Sequence, residues 1–168
     1  GPRLTPYPPD ERPNPYATLP LEAINYKSAV NYKTFPAHLM AISCLAMHPK
    51  KSIVATGSDD FSWKIWTVPQ GDLIMSAEGH KSWISGLSFH PKGSHIVSSS
   101  GDCTIKIWDF INANCMHTFT EHKQPVWSVA YHDTGDFILS GSMDHTAKLI
   151  DLAAMKTRNT FRGHVDSI

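Results

Sequence analysis

Neither sign of charge is in surplus: 15 Lys+Arg stand against 15 Asp+Glu, a formal net charge of zero over 168 residues. Nucleic-acid binding rests on a basic surface, so a balanced chain of this kind is not expected to bind nucleic acid. Cysteine is scarce. Cys44, Cys103 and Cys115 are too few and too odd in number for a disulfide framework. Long hydrophobic runs are missing too. The apolar stretches are only a few residues long, far below the ~20 that cross a bilayer, and no membrane association is expected. The opening residues are Pro-rich and polar, which does not read as a signal peptide. Charged residues make up 18% of the chain against 41% hydrophobic, which excludes compositional disorder. The expectation is a soluble, intracellular, globular or repeat protein, with no small-molecule substrate or cofactor indicated.

What is present is uneven. Seven of the 12 prolines lie in the first 20 residues. Proline fixes φ and removes a donor, so residues 1–28 are expected to form an extended arm. Tyr7, Tyr16 and Tyr26 punctuate it and are candidates for pinning it to a surface; a solvated tail is the plainer expectation. The remainder, 29–168, is periodic. His38, His80, His122 and His164 are each 42 residues apart. The same interval separates Asp60, Asp102 and Asp144, then Thr56, Ser98 and Ser140, then Lys64, Lys106 and Lys148. Two apolar registers keep the same spacing, Phe35, Ala77, Phe119 and Phe161, and Ile42, Ile84, Val126 and Ile168. A fixed period of this length marks a repeat architecture.

Each unit reads as four short strands. The first has Ile42–Met47, Ser52–Ser58, Ser62–Val68 and Leu73–Ala77. The second has Trp83–Phe89, His95–Ser100, Thr104–Phe110 and Cys115–Phe119, and the third Val126–Tyr131, Asp136–Ser142, Thr146–Leu152 and Thr157–Phe161. Turn residues such as Pro91-Lys92-Gly93, Gly101-Asp102 and Asp133-Thr134-Gly135 separate them, and no stretch keeps a helical period.

These residues resemble a known family. Gly79-His80 to Trp108-Asp109 is similar to a WD40 repeat almost throughout, with a Gly-His start and a Trp-Asp end. The other units depart in detail. Gly-His becomes Ala37-His38 and Glu121-His122, and Trp-Asp becomes Trp66-Thr67 and Ile150-Asp151. The resemblance implies an all-β fold, a partial WD40 β-propeller of four-stranded antiparallel blades at about 38–77, 80–119 and 122–161, with a fourth begun at 163. Three blades leave two faces uncovered, so the chain is expected to be a fragment of a longer protein. Asn31–Phe35 is expected to be a strand without a blade of its own, of the kind that latches the ring in this family. A narrower resemblance rests on Gly-Asp-Leu-Ile-Met (71–75), Gly-His-Lys-Ser-Trp (79–83) and His-Lys-Gln-Pro-Val-Trp-Ser-Val (122–129). It points to the central-pair WD-repeat proteins of motile cilia, the sperm-associated antigen sixteen type.

Several residues have the look of chemistry. His38, Thr56, Asp60 and Trp66 contain the parts of a hydrolytic triad. The set recurs as His80, Ser98, Asp102 and Trp108, and as His122, Ser140 and Asp144 with Ile150 in place of the tryptophan. Catalysis needs one nucleophile in one pocket, so three copies argue for structural tetrads, the role the resemblance implies. The third copy is expected to lack its last link. No metal site is expected: His48, His90 and His132 sit in repeat registers that a ring holds apart, and His95, His117 and His145 carry no ligand spacing. Cys44 is expected in the core, and Cys103 in a turn without activation. Trp63 takes the slot of Ile105 and Ala147 and reads as core. Trp83 and Trp127 differ, because Ala41, Pro125, Ser43 and Ser85 fill their registers in sister units. The resemblance implies that these two, with Asp59 and Met143, lie on the rim of the channel, bordered by Lys81 and Lys123. They are the candidate partner contacts.

Three functions follow as expectations. The first is a non-enzymatic scaffold in the ciliary axoneme, part of the central apparatus at the central-pair bridge, with axonemal or microtubule-associated proteins as partners. The second is a peptide-reading adaptor in a ubiquitin-ligase or signalling complex. A phosphopeptide reader needs basic groups, yet the four arginines, Arg3, Arg12, Arg158 and Arg162, fall outside the rim registers. The third and weakest is a hydrolase using one His–Ser/Thr–Asp set.

Overall fold

The computed structural model describes residues 30–168 apart from Ile111 and Ala113. The expected arm at 1–28 lies outside the described residues, and Tyr32–Ile168 clusters as a unit separate from Gly1–Asn31. Twelve strands are present among the described residues and no helix. They are β1 (Ile42–Met47), β2 (Ile53–Ser58), β3 (Trp63–Thr67), β4 (Leu73–Ala77), β5 (Ile84–Phe89), β6 (His95–Ser100), β7 (Ile105–Asp109), β8 (Asn114–Phe119), β9 (Val126–Tyr131), β10 (Phe137–Ser142), β11 (Thr146–Asp151) and β12 (Lys156–Arg162). Each consecutive four form one antiparallel meander. The fold is all-β, as expected.

β-branched residues and a short turn after each run make these strands. The second strands read Ile-Val-Ala-Thr, His-Ile-Val-Ser and Phe-Ile-Leu-Ser, and their last residues are buried on both faces. That is the pattern of an inner strand with a blade on either side. First strands adjoin one another across the blades, β1 beside β5 and β5 beside β9. The apolar cores therefore lie between blades. Ala55, Trp63 and Ile65 of blade one meet Ile84, Leu87 and Ile96 of blade two. Val97, Ile105 and Ile107 of blade two meet Val126, Val129 and Ile138 of blade three. A fully buried side chain of this size contributes about 1.5–3 kcal/mol, so each blade depends on its neighbour for most of its stability. The lysine register serves the sheet edge: Lys64 Nζ donates to the Ala37 carbonyl at 2.9 Å and Lys106 Nζ to the Thr118 hydroxyl at 2.9 Å.

One expectation fails: Asn31–Phe35 is not a strand. Phe35 packs its ring on Trp66 instead, centroids 5.0 Å apart. The Ile168 amide donates to the Ser142 carbonyl at 3.1 Å without a ladder following.

One irregularity repeats in every blade. The pairing skips Ser43 between Ile42 and Cys44, Ser85 between Ile84 and Gly86, and Trp127 between Val126 and Ser128. Each is the extra residue of a β-bulge, which bends the strand and re-aims the side chain.

Candidate functional site

The meander puts the turns after β2, β6 and β10 at the same end as the segments that enter β1, β5 and β9. At that end the repeated polar sets close. The Trp108 indole N–H donates to Ser98 Oγ at 2.8 Å, Ser98 Oγ lies 2.7 Å from His80 Nε2, and His80 Nδ1 lies 2.9 Å from Asp102 Oδ2. A hydroxyl that accepts the indole N–H is free to donate to Nε2. The imidazole proton then sits on Nδ1 and points at the carboxylate. Blade one repeats the chain, with Trp66 to Thr56 at 2.9 Å, Thr56 to His38 at 2.7 Å and His38 to Asp60 at 2.9 Å. Blade three keeps His122 to Ser140 and His122 to Asp144, both at 2.8 Å, and stops there. Ile150 has no donor and is 1% exposed. The next group in reach of the Ser140 hydroxyl is the Lys148 carbonyl at 3.4 Å, a long bond.

Two registers that the sequence reading passed over complete the brace. Ser62, Thr104 and Thr146 donate to the other carboxylate oxygen at 2.6, 2.6 and 2.5 Å. Ser58, Ser100 and Ser142 donate back across the sheet, to Ala41 at 2.8 Å, Ser82 at 3.1 Å and Pro125 at 2.9 Å. Both sets keep the 42-residue interval and were open to discovery by it. Burial works to raise the Asp60 carboxyl, but the Ser62 hydroxyl and amide, His38 and the Leu39 amide more than reverse it, to about 2. Asp102 and Asp144 are likewise held below the usual carboxylate range. Burial opposes the shift and hydrogen bonds outweigh it, led by His80 at Asp102 and by Thr146 at Asp144. A carboxyl lowered on folding stabilises the fold above its ordinary value, about 3.9, and loses that contribution as pH falls toward its folded-state value. The braces therefore hold throughout the neutral range.

At the opposite end, His48 accepts the Lys50 and Lys51 amides on Nδ1, at 3.0 and 2.9 Å, and donates from Nε2 to the Gly93 carbonyl of blade two at 3.1 Å. His90 accepts the Lys92 amide at 3.0 Å and turns its other nitrogen to Gly135 of blade three. These histidines latch neighbouring blades. Gly135 has φ +83°, and a Cβ there would run into the His90 ring. His90 also shares a 220 Å³ pocket with His95 and His117, which the sequence had left unrelated. No group of metal ligands forms there or elsewhere among the described residues. Burial raises the Cys44 and Cys103 thiols, so neither is activated. Trp63 is 1% exposed and packs edge-on against Trp108 at 5.4 Å, with no partner for its indole N–H.

The candidate contact residues divide. Trp83, Trp127 and Asp59 converge on one pocket of about 560 Å³ at the end that carries the polar braces, together with Phe61 and Met40. Trp83 lies flat over Gly101, where an added Cβ would stand 2.5 Å from the indole. Its ring centroid is 6.3 Å from that of Trp127. Trp127 is the bulge residue of blade three. In the sister blades that position aims a hydroxyl at the next blade, Ser43 to the Ile84 carbonyl and Ser85 to the Val126 carbonyl. Met143, Lys81 and Lys123 are exposed, but none of them lines the pocket. Phe61 and Met40 were not singled out from the sequence. Their register partners, Cys103 and His145 for Phe61, Ser82 and Gln124 for Met40, vary as freely as those of Trp83.

Four-stranded meanders packed side by side through their first strands, each tied by a His–Asp–hydroxyl brace, define a β-propeller repeat protein. The chain belongs to the WD40 family: the model for the WD domain, G-beta repeat, matches residues 30–67, 71–109 and 113–151. The solved structure of U3-55K superposes with a TM-score of 0.75 at 25% identity, covering 79% of this chain and 42% of that one. Among curated relatives, the flagellar WD repeat-containing protein Pf20 of Chlamydomonas reinhardtii is 51% identical over 70 residues, 42% of this chain and 12% of the relative. The mouse sperm-associated antigen 16 protein is 38% identical over 80 residues, 46% of this chain and 12% of its own length. The nuclear distribution protein PAC1 of Ajellomyces capsulatus is 39% identical over 69 residues, 41% of this chain and 14% of its own. The matched stretches span about an eighth of each of these relatives.

Proposed function

We propose that the protein is a non-catalytic scaffold of the motile-cilium axoneme, a component of the central apparatus at the bridge between its two microtubules. The similarity to a flagellar WD-repeat protein at 51% identity carries this reading. The match to sperm-associated antigen 16 supports it.

The geometry supports a scaffold over an enzyme. Thr56, Ser98 and Ser140 are each 5% exposed or less, so no substrate reaches their hydroxyls. Two of the three accept an indole N–H, which turns the hydroxyl into a link of a brace. Partner recognition falls to the aromatic pocket, with Met143, Lys81 and Lys123 on the surrounding surface and the 1–28 arm as a tether. Large aromatics held on a rigid frame bind by desolvation with little ordering of their own. Asp59 as the charged group in the lining disfavours an acidic or phosphorylated ligand, and with it the degron-reading alternative.

The test is axonemal incorporation of the tagged full-length protein. The pair Trp83→Ala and Trp127→Ala, with circular dichroism and melting temperature kept, is expected to abolish retention on demembranated axonemes. Retention at the wild-type level overturns the assignment.

A further inference from the structure

The pocket between the first three blades has an unusual composition for a rim. Its walls are aromatic and its charge is a single carboxylate. Trp83 and Trp127 present their rings from blades two and three, and Phe61 and Met40 close the blade-one side. Asp59 stands among them, half-buried. Its carboxylate enters no ion pair among the described residues, unlike Asp60 beside it, which is committed to His38. An aromatic face carries negative potential at its centre, and a nearby carboxylate adds to it. Such a site attracts a cation and repels an anion.

Three features show that this arrangement is built. Phe61 places an aromatic ring, 46% exposed, at a turn position that carries Cys103 and His145 in the sister blades. Trp83 can lie down only because blade two has glycine at position 101, where its sisters carry Asp59 and Met143. Trp127 occupies a bulge that in the sister blades aims a serine at the neighbouring backbone. Each blade has departed from the repeat at a different register, and the departures meet in one place.

We propose that this pocket receives the cationic side chain of a lysine or arginine carried on an extended segment of a partner protein, the charge lying over Trp83 and Trp127 and pairing with Asp59. The proposal rests on the partner-binding reading above and gives it a chemistry.

The experiment uses the full-length protein and fluorescent Gly-Ser peptides with one central arginine, lysine, glutamine or glutamate. Binding is read by anisotropy and by the indole N–H resonances of Trp83 and Trp127. The arginine and lysine peptides are expected to bind at least about tenfold more tightly than the glutamine peptide, and more weakly as salt is raised. Asp59→Asn is expected to remove most of that preference, and Asp59→Lys to reverse it. Trp127→Leu is expected to weaken the cationic peptides while leaving the melting temperature in place. Equal binding of all four peptides, or an unchanged preference in Asp59→Asn, overturns the proposal. If Trp83→Ala and Trp127→Ala still abolish axonemal retention while Asp59→Lys has no effect on it, the cationic ligand is refuted and the docking face stands. If the peptide preference holds but retention survives the tryptophan pair, the axonemal reading falls and the cation site remains.

Discussion

Blades two and three are built on the same ladder, and two of their differences fall on the brace and the bulge. Blade two has Trp108 closing its polar chain and Ser85 at its bulge; blade three has Ile150 and Trp127. The His–Asp and His–hydroxyl distances nevertheless agree within 0.1 Å between them. The brace is thus indifferent to its outermost link, and the bulge is indifferent to which side chain it aims. What the two blades share holds the propeller together, and what separates them is available for a partner.

The shared part is tested most severely at the imidazole. His80→Leu and His122→Leu each leave a carboxylate of about 10% side-chain exposure without its partner. Losing a hydrogen bond to a carboxylate costs about 1.5–3 kcal/mol. Equilibrium urea unfolding of the full-length protein is expected to show similar losses for both, and a loss confined to one blade breaks their equivalence. The link that differs is expected to matter less. Trp108→Phe removes one buried hydrogen bond and some packing, about 2 kcal/mol. Ile150→Leu, with no bond to lose, is expected to fall below about 1.5 kcal/mol. Equal costs at the two positions would mean that the indole N–H contributes nothing.

The smallest effect separates the two ends of the sheets. Burial, with His95 and Lys92 nearby, pushes the His90 imidazole below its ordinary value, and its Nδ1 already accepts the Lys92 amide. The unfolded chain takes up a proton near pH 6.5, and the folded protein does so only at lower pH. Stability is therefore full above about 6.5 and declines as pH falls through the lowered folded-state value. His90→Gln is expected to flatten the melting-temperature profile between about pH 7 and 5. A profile unchanged by the substitution places the pH response elsewhere.

Much of this was legible in advance because a 42-residue interval leaves its mark on every residue that serves the repeat. The strands, the His–Asp–hydroxyl sets, the missing link at Ile150 and the burial of Trp63 follow from it. The segment that failed, Asn31–Phe35, was read as a strand from its resemblance to a ring-latching segment, and local composition does not decide whether a ladder forms. Ser62, Thr104 and Thr146 were overlooked although periodic, since serine and threonine after a turn aspartate look like ordinary turn residues until their hydroxyls are placed against the carboxylate. The His48 and His90 latches were read only as histidines too far apart for a metal.

The sequence by itself determined the copied module, because each copy must satisfy the same buried polar groups and fill the same inter-blade core. Only the tertiary structure decided which exceptions to the repeat belong together. Asp59, Phe61, Trp83 and Trp127 come from three blades and four registers. No spacing along the chain relates them; they meet because neighbouring first strands pack side by side, which brings the turn after β2, the segment entering β5 and the bulge of β9 to the same opening.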